Sequence, residues 1–256
     1  MNTDYRPFVS SLESHRHSLK TLESFYEFDD FMESVESVID MGCGDGLDLE
    51  WWATRTTRDE NPRPLDIRCF GIDVAPSLPM TIAHSNISYR SGDFENPIPV
   101  GKRKYDIIWS HDSFQYVIDP FTTLKNWRDA TADGGMMVLI VPQSTNLDFN
   151  QQAFDQRDRV YWHWTMVNLM HVLAVTGWDC KNGFFLKEAT DPWIHAVVYK
   201  SQHEPMDPKT TRWYDLAEKG LLPDSAATGI NRHGYLRQRD LTLPWIDKSL
   251  RDFSDH

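Results

Sequence analysis

Short apolar runs alternate with amphipathic stretches along most of this chain. Residues 19–34 set Leu22, Phe25, Tyr26, Phe28, Phe31 and Met32 at helical spacing among acids, which predicts one amphipathic helix or two short ones. Residues 34–40 (SVESVID) end as a short buried strand, MGCGDG follows as a glycine turn, and LDLEWWATR opens a helix. Pro62 and Pro64 mark residues 61–64 as loop. Further strands are expected at 67–73 (IRCFGID), 87–90 (ISYR) and 105–110 (YDIIWS). Residues 121–132 place Leu124, Trp127 and Ala130 on one helical face, and Asp133-Gly134-Gly135 should stop that helix, because glycine accepts the left-handed geometry of a helix end. The unbroken apolar run at 136–141 (MMVLIV) suits the middle of a parallel sheet. A helix is expected at 161–175, ending near Gly177. Strands at 182–186 (NGFFL) and 193–199 (WIHAVVY), joined by a short polar link, should pair as an antiparallel hairpin.

Strand and helix alternate from 35 to 142, which predicts a doubly wound α/β fold: a mostly parallel sheet with helices on both faces, finished by the antiparallel hairpin. The chain divides into a domain at 1–200 and a C-terminal extension at 201–256 that would serve as lid, interface or tail. The extension begins with a polar, proline-containing linker, carries a helix at 212–219 ended by Gly220, and then shows no long periodicity. Residues 55–66 form an enlarged surface loop.

Composition narrows the partners. With 256 residues, 40% hydrophobic and 25% charged, the chain can bury a sizeable core and is not globally disordered. A net charge of −12 without a basic stripe argues against a nucleic-acid partner. Cys43, Cys69 and Cys180 lie far apart, form no CxxC pair and read as reduced, packed cysteines of a cytoplasmic protein. Neither they nor the histidines form a metal constellation. The N-terminus is polar, with no signal region, and no apolar run approaches the ~20 residues that span a bilayer.

The strongest chemical signal is Val38-Ile39-Asp40-Met41-Gly42-Cys43-Gly44-Asp45-Gly46. An acid ends a hydrophobic strand and glycines follow at alternate positions, so the backbone can turn sharply and a ligand can lie against it. The following helix would aim its first N–H groups at that ligand. Leu47 stands where a dinucleotide fingerprint needs its third glycine, and no P-loop is present, which disfavours a nicotinamide or flavin oxidoreductase.

This D-x-G-x-G-x-G pattern resembles motif I of the class I S-adenosylmethionine-dependent methyltransferases. The resemblance covers about residues 20–200, with the motifs in the family's order, and implies a Rossmann-like seven-stranded sheet. It implies that Asp40, Gly42, Cys43, Gly44 and Gly46 shape the methionine and ribose site. Asp73, with Val74 beside it, would hold the ribose hydroxyls, and Asp93 with Phe94 the adenine. YDIIWS resembles the fourth-strand motif, which puts Ser110 beside the cofactor. Ala132-Asp133-Gly134-Gly135 looks like the turn before the fifth strand, with Ala-Asp where the family has Pro.

The acceptor should meet the methyl group after the fourth strand, at Ser110-His111-Asp112-Ser113-Phe114-Gln115-Tyr116. This resembles a stretch of small-molecule methyltransferases, some acting on amines, in which an aspartate precedes a histidine by four residues. Tyr116 stands at that histidine's position. His111 and Asp112 are the catalytic candidates, His111 because imidazole titrates near neutrality. Tyr116, Tyr161 and Trp164 are candidate walls of the acceptor pocket, since aromatic faces suit planar or cationic groups. His171 reads as structural. Arg232, His233, Tyr235, Arg237 and Arg239 form a basic-aromatic group that could bind an anion, cover the cleft or contact a second subunit, so a homo-oligomer is compatible with the sequence. The implied reaction is methyl transfer from S-adenosylmethionine to nitrogen or oxygen of a small molecule. An RNA or protein methyltransferase and a non-catalytic S-adenosylmethionine-binding regulator are the alternatives.

Overall fold

The computed structural model describes residues 11–74, 84–98, 104–144, 160–187, 193–236 and 241–246. Among them one sheet of seven strands runs in the order β3-β2-β1-β4-β5-β7-β6. Its strands are β1 (Ser37–Met41), β2 (Arg68–Asp73), β3 (Ile87–Ser91), β4 (Tyr105–His111), β5 (Thr131–Pro142), β6 (Trp178–Lys187) and β7 (Trp193–Lys200). The first five are parallel, while β7 pairs antiparallel with both β5 and β6. The chain reverses direction in the sheet order between β1 and β4, so their C-terminal ends flank a crevice of the kind that receives ligands in open α/β sheets.

Strict alternation of side chains divides the core into two layers. Met137, Leu139 and Val141 of β5 face one layer, and Met136, Val138 and Ile140 face the other. The first layer is covered by α4 (Pro120–Ala130), α5 (Met166–Val175), α6 (Trp213–Glu218) and α7 (Asp224–His233). The second lies beneath α1 (Ser11–Tyr26), α2 (Asp29–Ser34) and α3 (Leu47–Ala53). The helical stretch expected at 19–34 is therefore two helices.

Three expectations shift. The helix of 121–132 ends at Ala130, not at the glycines: Thr131 already has an extended backbone (φ −82, ψ 136) and begins β5. Gly134, at φ +79, instead serves the register shift by which Tyr105 pairs with Thr131 but Ile107 with Met136. The helix expected from 161 begins at Met166, because Thr165 and Asn168 build a reciprocal capping box that sets the start there. The stretch after Gly220 contains α7, whose Ala226 and Ile230 are buried one turn apart.

The described residues beyond β7 pack into the same two layers. Leu216, Leu221, Leu222, Ala226 and Ile230 join the first layer, and Met206 N–H donates to Val175 O at 2.8 Å. Beyond α7, Phe185 N–H of the outermost strand β6 donates to Pro244 O at 2.8 Å, and Ile246 inserts into the second layer. The loop at 55–66 is pinned by an antiparallel bridge between Thr56 and Pro64. All three cysteines are unpaired and buried. No helix among the described residues is long and apolar enough to cross a membrane.

Candidate active site

The glycine turn after β1 is held by its neighbours. Gly42 and Cys43 N–H both donate to Ile72 O, at 2.8 and 3.2 Å, and Gly46 N–H donates to Cys43 O at 2.7 Å. Gly42 lies at φ +87, and a Cβ there would run into the Ser113 side chain. Ser113 Oγ donates to Gly42 O (3.1 Å) or His111 O (3.0 Å), so the turn after β1 and the turn after β4 touch. Gly44, at φ +51, faces open space: a Cβ there would meet nothing within 4 Å. The turn is thus fixed from beneath and bare above, as a backbone cradle for a ligand must be.

Three carboxylates reach this rim. Asp40 is buried at the end of β1, and its pKa is pushed well above the ordinary value by burial, then by the charges of Asp48, Asp73 and Asp45. Asp73, partly exposed at the end of β2, accepts Gly44 N–H at 3.0 Å. Asp93, exposed after β3, accepts Glu95 N–H at 2.9 Å. Phe94 is held by the Trp127 indole, which donates to Phe94 O at 2.9 Å, and its ring edge lies beside Gly42. Val74 is 67% exposed. Cys43 is buried, and burial with the charges of Asp40 and Asp73 raises its thiol pKa, so it stays protonated. Ser110 is buried and donates to Met41 O at 3.0 Å, tying β4 to β1.

On the acceptor side, Asp112 adopts a left-handed backbone (φ 51), unusual for a residue with a side chain and common where a site stores strain. Its carboxylate accepts Gln115 Nε2 at 2.7 Å. Tyr116 is partly buried in the 3₁₀ turn Phe114–Tyr116. Tyr161 and Trp162 N–H both donate to Gln115 O, at 3.0 and 3.2 Å, so residues 160–164 sit against the turn after β4. Tyr161 is 54% exposed, whereas Trp164 is fully buried and stacks on Phe114 at 5.2 Å and on Trp162 at 5.5 Å. Trp164 is therefore a support beneath this region rather than an open wall. His171 packs edge-on against Trp213 at 4.8 Å. Arg232 and Tyr235 are exposed near the end of α7, and Arg237 and Arg239 lie outside the described residues.

A residue that the sequence reasoning passed over lies just past the glycine turn, beneath α1. Asp48, in the first turn of α3 and buried, accepts hydrogen bonds from His15 Nδ1 (2.5 Å), Ser18 Oγ (2.6 Å), Trp109 Nε1 (2.8 Å) and His111 Nδ1 (3.2 Å). In sequence it is one more acid at a helix start. Only its position among Leu49, Trp51 and Trp52 hinted at burial. Burial alone would raise its pKa, but the hydrogen bonds and charges of His111 and His15 outweigh this and hold it well below the carboxylate range. For His111, burial acts downward, and the hydrogen bond and charge of Asp48, with the charge of Asp112, override it and raise the pKa.

A cleft of about 390 Å³ opens at the opposite edge of the sheet, lined among others by Arg68, Lys104 and Asp106. Ser37 and Arg68, both lining it, begin β1 and β2, so this cleft lies at the N-terminal ends of the strands, where Asp106 accepts the N–H groups of Glu36 and Ser37. No group of metal-ligating side chains occurs among the described residues.

A sequence profile of the Methyltransferase domain family matches residues 14–180. The chain belongs to this family. It is an S-adenosylmethionine-dependent class I methyltransferase, and the backbone cradle and acidic rim suit that cofactor. No curated protein sequence matches the chain. Solved structures share the methyltransferase's fold. The putative S-adenosylmethionine-dependent methyltransferase from Listeria monocytogenes superposes with TM-score 0.55 at 14% identity, over 75% of this chain and 100% of the other. The N-methyltransferase NodS from Bradyrhizobium japonicum gives TM-score 0.50 at 15% identity, over 76% and 100%. The plantazolicin methyltransferase BamL, in complex with a triazolic desmethylPZN analog and SAH, gives TM-score 0.52 at 18% identity, over 75% and 87%.

Proposed function

We propose that this methyltransferase acts on nitrogen or oxygen of a small molecule. The observation that carries the reading is the contact between Gly42 and Ser113, which joins the bare glycine turn to the His111–Tyr116 segment. S-adenosylmethionine supplies a methyl group activated by its sulfonium charge. In this reading Asp40 and the glycines shape the methionine end, Asp73 with Val74 holds the ribose, and Asp93 with Phe94 holds the adenine. The crowding of Asp40 by Asp48, Asp73 and Asp45 supports a cationic ligand, which would relieve the repulsion among them. His111 and Asp112 line the acceptor end, with Tyr116 and Tyr161 beside them and Trp164 as backing. The chain's part is to align the acceptor and exclude water. The net charge of −12 favours a small acceptor over RNA. The N-methyltransferase among the fold relatives is in keeping with a nitrogen acceptor. Three buried, unpaired thiols fit a reducing, cytoplasmic setting.

Calorimetric titration with S-adenosylhomocysteine tests the cofactor assignment. Wild type should bind, and Asp73→Ala should bind at least about tenfold more weakly, the loss of roughly 1.4 kcal/mol that one charge-assisted hydrogen bond accounts for. Undiminished binding by Asp73→Ala would remove Asp73 from the site.

A further inference from the structure

The described face of the sheet beneath α1 contains one buried carboxylate with four donors around it, and two of those donors are histidines. We propose that Asp48, backed by His15 and Ser18 of α1, positions His111 as the proton acceptor for an acceptor molecule whose nucleophilic oxygen or nitrogen carries a proton it must lose. This rests on the small-molecule reading above and narrows its substrate class.

An ionised carboxylate can only accept, so Nδ1 of His111, 3.2 Å from Asp48 Oδ2, must carry the proton of that bond. Neutral His111 then has its lone pair on Nε2. That atom is buried and has no hydrogen-bond partner among the described residues. A buried, unpartnered imidazole nitrogen is costly unless something else fills its bonding site. His111 ends β4, directly before the left-handed Asp112 and two residues before Ser113, which touches the glycine turn. His111 thus stands at the strand end whose following turn meets the glycine cradle, and its Nδ1 is anchored in the second core layer.

Every other bond to Asp48 fixes the same tautomer. Ser18 and His15 occupy Oδ1, and Trp109 Nε1 shares Oδ2 with His111, so the carboxylate cannot rotate without breaking four bonds. The Trp193 ring packs edge-on at 5.6 Å and limits the imidazole from the β7 side. The charged and titratable groups facing His111 are Asp48 from α3 and Asp112 from its own turn. His15 acts through Asp48, and Asp40 borders Asp48 from β1.

The proton balance is complete. As the acceptor's lone pair forms the new bond to the methyl carbon, the carbon–sulfur pair stays on sulfur. The acceptor's proton moves to His111 Nε2, the resulting imidazolium is held by ionised Asp48, and water later removes the proton. Asp48 is a positioning residue here, and it keeps its own proton state throughout.

Nitrogen-15 histidine NMR of the intact chain reads this out. Signals of His111 are assigned by their absence in His111→Gln. Wild-type His111 should hold its neutral-state proton on Nδ1 and titrate above the ordinary value of 6.5. Asp48→Asn, which keeps a bond to Nδ1 but removes the charge, should lower that midpoint by at least about one pH unit, a tenfold change in proton affinity, and Asp48→Glu should recover part of it. A neutral tautomer with the proton on Nε2 overturns the proposal in wild type alone, whatever the variants do. So does a midpoint unmoved in a folded Asp48→Asn. S-adenosylhomocysteine titration of wild type runs alongside: absent binding sinks the cofactor assignment, whereas binding with the wrong tautomer sinks only the role of Asp48.

Discussion

The two faces of the sheet are built to different rules. Beneath α4–α7 the layer is mainly apolar: Phe114, Trp127, Leu139, Leu169 and Leu173 fill it, and its buried Arg128 donates to the carbonyls of Gly177, Ser201 and His203 and not to a buried carboxylate. Beneath α1–α3 the same strands present Trp109 and His111 to a buried carboxylate, and His195 of β7 lies 2.9 Å from Thr21 Oγ1 of α1. The first face derives its stability from area removed from water, which is non-directional. The second depends on matched donors and acceptors, which fail together when one is removed. Chemistry that needs a fixed proton belongs on the second kind of face, and that is where His111 lies.

The largest effect should come from the apolar face. Trp164→Ala removes a fully buried indole from the stack with Phe114 and Trp162 and should cost about 3–5 kcal/mol in urea denaturation. A cost below about 1 kcal/mol would mean that Trp164 is not part of that core. On the polar face Asp48→Ala should cost about 3 kcal/mol, because it strands four donors at once. The comparison sharpens in the pair Asp48→Ala with His15→Ala. Their effects should fall short of additive, whereas Asp48→Ala and Trp164→Ala should add.

The smallest effect is a dependence on pH confined to the polar face. His111 has a raised native pKa, so its contribution is complete below its unfolded value of 6.5 and is lost as pH rises through the native value. Asp48 has a depressed one, so its contribution is complete above its unfolded value of 3.8 and is lost only as pH falls through the native value. Between those limits the pair is at full strength. Stability should therefore decline from pH 6.5 upward, while methyl transfer rises over the same range as His111 sheds its proton. Denaturation at several pH values should show a flatter upper limb in His111→Gln.

Most of the scaffold was legible because it rests on local periodicity. The apolar run of β5 and the glycine turn after β1 each announce themselves within ten residues, and Asp40 and Asp73 fall at the ends of the strands that the apolar runs predict. What escaped depends on meetings between distant segments. Asp48 looks ordinary until α1 brings His15 and Ser18 across an intervening strand and turn. Gly134 looked like a helix stop because a left-handed glycine serves a strand irregularity equally well. Helix α7 was hidden because only Ala226 and Ile230 carry its apolar stripe, and its docking surface comes from other parts of the chain.

The bond from Phe185 to Pro244 has a practical side. Strand β6 ends the sheet, and a sheet margin with unpaired amides is a template for another chain. The stretch 241–246 works as a hem: it occupies an amide of that margin and tucks Ile246 into the far layer. A recombinant fragment trimmed after β7 would lose this hem along with the leucines of α6 and its successor loop. Two such fragments could then stitch to each other along the bared strand.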